Sequence, residues 1–186
     1  MGLIDEYEEK YSYYVGTDEE GYYDKINKPY KISGNLFSHF LRSKILDIVT
    51  NKYEVSAINS YIKGCNIEWD LLIVNKVTDE EKRYNIYLPE HVICAFEFKS
   101  SGAIMYNKPQ DAINYLNREI EALKNCSPKT KYGYISLCEI PDNLKELDNK
   151  FEGKCFWIVR DYYRNRNKYE KTIEIDLEKY INNLLK

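Results

Sequence analysis

An α/β fold, with a central mixed β-sheet flanked by helices, is what the sequence predicts, and three observations carry that prediction. Apolar residues recur at helical spacing in some stretches, and in others they alternate or run together as in strands. The two kinds of segment are interleaved along the chain, as α/β proteins require. With 186 residues, 44% of them hydrophobic, the chain is long enough for one domain with a substantial core and short for two.

Residues 1–30 are acidic and rich in tyrosine, with Asp5, Glu6, Glu8, Glu9, Asp18, Glu19, Glu20 and Asp24 and little periodicity. They predict an arm that packs on the domain or stays partly mobile, followed by a single domain over 31–186. In "ISGNLFSHFLRSKILDIVTNKY" the apolar positions 36, 37, 40, 41, 45, 48 and 49 form one stripe, and Ser33 or Asn35 can cap its start, so the first helix belongs here. From Glu54 the pattern is strand-like: "YEVSAINSYI", a turn near Gly64, "IEWDLLIV", the polar stretch "NKVTDEEKR", "YNIYL", and, after Pro89, "VICAFEFK". A second helix is predicted in "PQDAINYLNREIEALKN", where Ala112, Ile113, Leu116, Ile120 and Leu123 keep helical spacing and Pro109 suits a first turn. There follow a strand "YGYISLCEI", a short helix "PDNLKELDNKF", a strand "CFWIVRDYY", a further strand "KTIEI", and a last helix "LEKYINNLLK" that Asp176 can cap.

Composition removes several function classes. No run of about 18 apolar residues is present, and the N-terminal residues lack the basic start and apolar run of a secretory signal, so a cytoplasmic protein without a membrane span is expected. The five cysteines are widely spaced and set mostly among apolar residues, with no Cys-x-x-Cys pair and two histidines in the chain. Buried thiols are expected rather than a disulfide framework or a zinc site. A net charge of −3 argues against a wholly basic nucleic-acid coat, yet "RDYYRNRNK" gathers Arg160, Arg164, Arg166 and Lys168 around Tyr162 and Tyr163. Such a segment suits phosphates and stacked bases; its plainer reading is a solvated hairpin.

The stretch "CAFEFKSSG", residues 94–102, places an acid and a base where more core belongs. By strand alternation Val92, Cys94, Phe96 and Phe98 face one side, and Ile93, Ala95, Glu97 and Lys99 the other. The same rule in "IEWDLLIV" puts Glu68, Asp70, Leu72 and Val74 opposite Trp69, Leu71 and Ile73. Adjacent strands would bring Asp70 and Glu97 together with Lys99 beside them. Buried ions left unpaired cost several kcal/mol each, so these groups must pair, reach water or coordinate a hard cation such as Mg²⁺ or Mn²⁺. Glu-x-Lys also occurs on solvated strand faces; the apolar runs around both segments, Ala95 next to Glu97, and the Ser100-Ser101-Gly102 ending favour a site.

Asp70, then Glu97-Phe98-Lys99 at the end of an apolar strand with a helix upstream, resembles the PD-(D/E)XK nuclease superfamily, with its restriction-endonuclease-like core. The resemblance spans roughly residues 32–135 by order of elements, and its specific part is three residues; Trp69 stands where a proline often precedes the acid. It implies a Mg²⁺- or Mn²⁺-dependent nuclease of the defence, restriction or mobile-element kind, with nucleic acid, DNA favoured, as its partner. Asp70 and Glu97 would hold the metal, the Phe98 carbonyl would complete the inner shell, and Lys99 would orient or activate the attacking water. Many members add an acid on the first helix; Ser38 and His39 stand near that place, so Glu68 becomes a further metal candidate, and His39 and Gln110 accessory ones. A homodimer would suit cutting of both duplex strands. The competing readings are a nuclease-fold module that binds nucleic acid without cutting, and an acidic interaction or inhibitor protein whose arm occupies a nucleic-acid groove.

Overall fold

The computed structural model describes residues 3, 6, 7, 30–49, 52–99, 109–136, 155–157 and 177–186. The elements are α1 (Tyr30–Ile48), β1 (Glu54–Val55), β2 (Ser60–Ile62), β3 (Glu68–Trp69), β4 (Leu71–Val74), α2 (Asp79–Tyr84), β5 (Ile86–Tyr87), β6 (Val92–Lys99), α3 (Pro109–Cys126), β7 (Lys131–Ser136), β8 (Cys155–Trp157) and α4 (Leu177–Leu184). A central sheet runs β1-β4-β6-β7-β8. Its β1–β4 and β4–β6 pairings are antiparallel, and β6–β7 and β7–β8 are parallel, so the sheet is mixed as expected.

Both faces of this sheet are covered. On one face Phe37, Phe40, Leu41 and Ile45 of α1 and Leu177, Ile181 and Leu184 of α4 pack against Leu71, Ile73, Cys94, Phe96, Phe98 and Ile135. Their spacing of three and four residues keeps each helix's apolar stripe on the sheet. Tyr7 joins this layer, its ring 5.4 Å from that of Phe37 and 5.2 Å from that of Phe40, and Glu6 pairs with Lys44 at 2.5 Å. On the other face Leu116 and Leu123 of α3 meet Leu72, Ala95, Tyr132 and Tyr134, together with Ile62, Trp69 and Tyr87. Gly133 is required where β7 crosses Phe96, because a Cβ there would stand 2.4 Å from the ring's Cε1.

Several expectations are corrected. "YEVSAINSYI" is two strands in different sheets, parted by Asn59 with a φ of 58°. "IEWDLLIV" likewise breaks at Asp70: β3 belongs to a small sheet ordered β3-β2-β5, and β4 to the central one. Trp69 therefore packs with Leu72 and Val74 rather than with Leu71 and Ile73. A register irregularity between Ile73 and Val74 also moves Val92 to the side of Ala95, away from Cys94.

The polar stretch before "YNIYL" contains a helix, α2, started by a capping box in which Thr78 and Glu81 satisfy each other's backbone N–H groups. Of "YNIYL" only Ile86 and Tyr87 are strand, since Asn85 takes the left-handed conformation that ends α2. Cys65 and Cys126 are joined by a disulfide with their Cα atoms 5.5 Å apart, in place of two buried thiols. Cys94 is buried and free, and burial pushes its thiol far above the ordinary range. The expected elements "PDNLKELDNKF" and "KTIEI" lie outside the described residues, as does most of the arm.

Candidate active site

The corner at Asp70 makes the site. Leu71 pairs with Phe96 and Ile73 with Cys94, so the residue before Leu71 falls beside Glu97, just where β4 stops. Phe98 then has no strand partner on that edge. Its N–H donates instead to Asp70 Oδ2 at 2.6 Å. Because the N–H and C=O of a strand residue point the same way, the Phe98 carbonyl opens toward the same gap.

Glu97 and Lys99 share the face of β6 that looks toward α3. Glu97 is buried, 4% exposed, and its Oε1 accepts a hydrogen bond from Lys99 Nζ and another from the Tyr115 hydroxyl at 3.0 Å. The Lys99 ammonium lies 5.1 Å from the Tyr115 ring centroid, and the Arg118 guanidinium 5.2 Å. One turn along α3, Glu119 is 1% exposed and accepts from the Tyr132 hydroxyl at 3.0 Å. Tyr132 sits on β7, level with Ala95.

The electrostatics are unbalanced. Burial pushes the Asp70 carboxyl above the usual carboxylate range; the Phe98 N–H and Lys99 oppose the shift, and Glu68 adds to it. Burial likewise raises Glu119, against hydrogen bonds from Tyr115 and Tyr132, and lowers the Lys99 ammonium, against the pull of Asp70 and Glu119. The Tyr115 hydroxyl is pushed well above its ordinary range by burial and then by Glu119. Among the described residues Asp70, Glu97 and Glu119 are gathered around Lys99, with the Arg118 guanidinium on the Tyr115 ring. Among the described residues no group of three or more His, Cys, Asp or Glu side chains is placed to hold a metal ion. Two carboxylates with a carbonyl between them are nevertheless a donor set that suits Mg²⁺, which takes one or two carboxylates and keeps several waters. A divalent cation would relieve the excess negative charge.

The remaining sequence candidates lie elsewhere. Glu68 is exposed on β3 and accepts from the Tyr61 hydroxyl, a neighbour of Asp70 turned to the outer side of the corner. His39 is exposed on α1, while Ser38 is buried and returns its hydroxyl to the Gly34 carbonyl at 3.1 Å. Gln110 is in the first turn of α3, its side chain outside the described residues; Arg160, Tyr162, Tyr163, Arg164, Arg166 and Lys168 lie outside them altogether. Tyr115 and Glu119 escaped the sequence reading. Their signal is an acid at core spacing, three residues after Leu116 and four before Leu123, on an otherwise apolar stripe.

Fold and site together define an α/β core, a mixed sheet covered by helices, with an acid–acid–lysine cluster at the end of its central strand. Among solved structures the chain matches NucC of P. aeruginosa ATCC27853 in its cAAA-bound form, with a TM-score of 0.52 and 12% identity over 98% of this chain and 88% of that one. The likeness is one of fold. No protein-family model matches the chain, and no curated protein matches it. No helix among the described residues is long and apolar enough to cross a membrane.

Proposed function

We propose that the protein is a metal-dependent nuclease that hydrolyses phosphodiester bonds, with DNA as the favoured substrate. The observation that carries this reading is the convergence of Asp70, Glu97 and Lys99 at the end of the central strand, inside a fold like that of NucC. Cleavage of a phosphodiester requires neutralisation of charge on the phosphorane oxygens, an in-line water, and support for the departing 3′ oxygen. Asp70, Glu97 and the Phe98 carbonyl would hold Mg²⁺ or Mn²⁺, which when bound supplies Lewis acidity and a more acidic water. Lys99 orients the attacking water and offsets charge on the phosphate. Burial favours its neutral amine and outweighs the pull of Asp70 and Glu119 toward the ammonium. The segment with Arg160, Arg164, Arg166 and Lys168 grips the flanking phosphates, and a homodimer supplies the second site for a duplex. A place in defence, restriction or a mobile element follows from the resemblance alone.

A second reading, a nuclease-fold module that binds without cutting, draws on α1: Ser38 is tied to its own helix and His39 faces solvent, so neither of these two positions brings an acid to the site. One experiment separates the two. Wild type and Lys99→Ala are incubated with labelled single- and double-stranded DNA and RNA in Mg²⁺, Mn²⁺ or EDTA. The nuclease reading expects metal-dependent cutting that falls about 10²–10³-fold in the variant. Binding without cutting by both proteins would overturn it in favour of the module.

A further inference from the structure

Both hydrogen bonds that Glu97 receives from described residues end on the same oxygen, Oε1. One donor, Lys99, is two residues away on the same strand; the other, Tyr115, reaches in from α3. Among the described residues, then, Oε1 is occupied and Oε2 is the oxygen left to face a ligand. A carboxylate pinned at one oxygen has a single orientation to offer at the other.

The pin is itself held. The Tyr115 hydroxyl has one proton to give and donates it to Glu97 Oε1, while the Glu119 carboxyl stands near enough to act on the same hydroxyl. Glu119 is one turn further along the same helix, so the two side chains lie one above the other on the inner face of α3. Its second contact, the Tyr132 hydroxyl, comes from β7, the strand beside β6. Among the described residues this buried carboxylate receives the neutral Tyr132 hydroxyl, an expensive way to fill a core position that Leu116 and Leu123 fill with hydrocarbon. Its placement makes sense if it fixes the Tyr115 ring.

We propose that Glu119 and Tyr115 are positioning residues: Glu119, braced by Tyr132, sets the Tyr115 hydroxyl, and that hydroxyl holds Glu97 in the orientation that receives a divalent cation. Neither residue touches the phosphodiester. The inference rests on the nuclease reading of Asp70, Glu97 and Lys99 and assigns the second layer behind them. Outer-layer partners of this type are worth about 10–100-fold in metal affinity or activity.

The test uses the full chain as wild type, Tyr115→Phe, Glu119→Gln and the double variant. Mn²⁺ binding is measured by calorimetry without nucleic acid, and cleavage is measured as kcat and KM over a Mn²⁺ titration. Tyr115→Phe is expected to weaken Mn²⁺ binding and lower kcat by about tenfold or more with KM for DNA nearly unchanged. Glu119→Gln, whose amide N–H can donate to the Tyr115 oxygen, is expected to lose less, and adding it to Tyr115→Phe is expected to cost little more. Melting curves show that each variant is folded; should Tyr115→Phe fail to fold, Glu119→Gln carries the comparison, and a Mn²⁺ affinity equal to wild type overturns the proposal. A wild type that binds Mn²⁺ and cuts, with both single variants matching it in affinity and kcat, overturns the positioning role and leaves the nuclease reading standing. A wild type that neither binds Mn²⁺ nor cuts overturns both.

Discussion

Glu81 and Glu119 are both buried glutamates, 6% and 1% exposed, and their carboxyls are moved in opposite directions. Glu81 accepts from the Thr78 N–H at 2.8 Å, the Thr78 hydroxyl at 3.0 Å and the Leu88 N–H at 2.8 Å, and it meets the His91 ring at 2.9 Å. Burial raises its carboxyl, but these partners together bring it down to about 2. Among the described residues Glu119 is met by hydroxyls and by Lys99, which lower its carboxyl, and by Asp70, which raises it, and burial prevails. The first carboxylate is answered by donors that ask nothing further, which is how a structural knot is built. The second belongs to a cluster of perturbed carboxyls around Lys99, the kind of environment in which functional sites are found.

Four predictions break or sharpen this contrast. The largest effect falls on chemistry: Asp70→Asn is expected to reduce cleavage by about 10³-fold, a loss of several kcal/mol of transition-state stabilisation, and Glu81→Ala to leave specific activity near wild type. Next is covalent: Cys126→Ser, which opens the disulfide closing a separation of 61 residues, should destabilise by about 4 kcal/mol and lower the melting temperature by about 10 °C. An unchanged melting temperature under reducing conditions would refute it. Third, Glu81→Ala leaves the Thr78 and Leu88 N–H groups without their acceptor and should cost about 3 kcal/mol in urea unfolding.

The smallest effect concerns acid. Glu81 lies just under the surface, where water screens part of its interactions, and on the order of 2 kcal/mol is assigned to its shift. Its carboxyl is depressed in the folded state, so the contribution is complete above the ordinary value of 4.5 and is lost as pH falls from there toward about 2. Urea midpoints between pH 5 and pH 2.5 should therefore converge for wild type and Glu81→Ala. Parallel curves would show that the knot does not hold a proton-linked charge.

How much of this was legible in the sequence differs from residue to residue. Strand alternation put Glu97 and Lys99 on one face of β6, and the apolar run behind them announced burial; both are local patterns, and both appear in the structure. The helical stripes of α1 and α3 were equally local. What escaped is long-range or hides in a single residue. The corner at Asp70 looks like strand because Trp69 and Leu71 are both apolar, although they serve different sheets. Thr78-Asp79-Glu80-Glu81 carried a capping box that its polarity disguised as a loop. Cys65 and Cys126 meet only because α3 lies across the small sheet, and spacing along the chain says nothing of that. Glu119 is hidden because a helical stripe is defined by its apolar members, Leu116 and Leu123, and an acid between them has the pattern of a solvated position.

The disulfide has a topological consequence. Cys65 and Cys126 enclose Asp70, Glu97, Phe98, Lys99, Tyr115 and Glu119 within one covalent ring. A protease cut anywhere between residues 65 and 126 would open that ring without dividing the molecule. Both halves of the site would travel as a single species on a non-reducing gel, and separate only when a reductant is added.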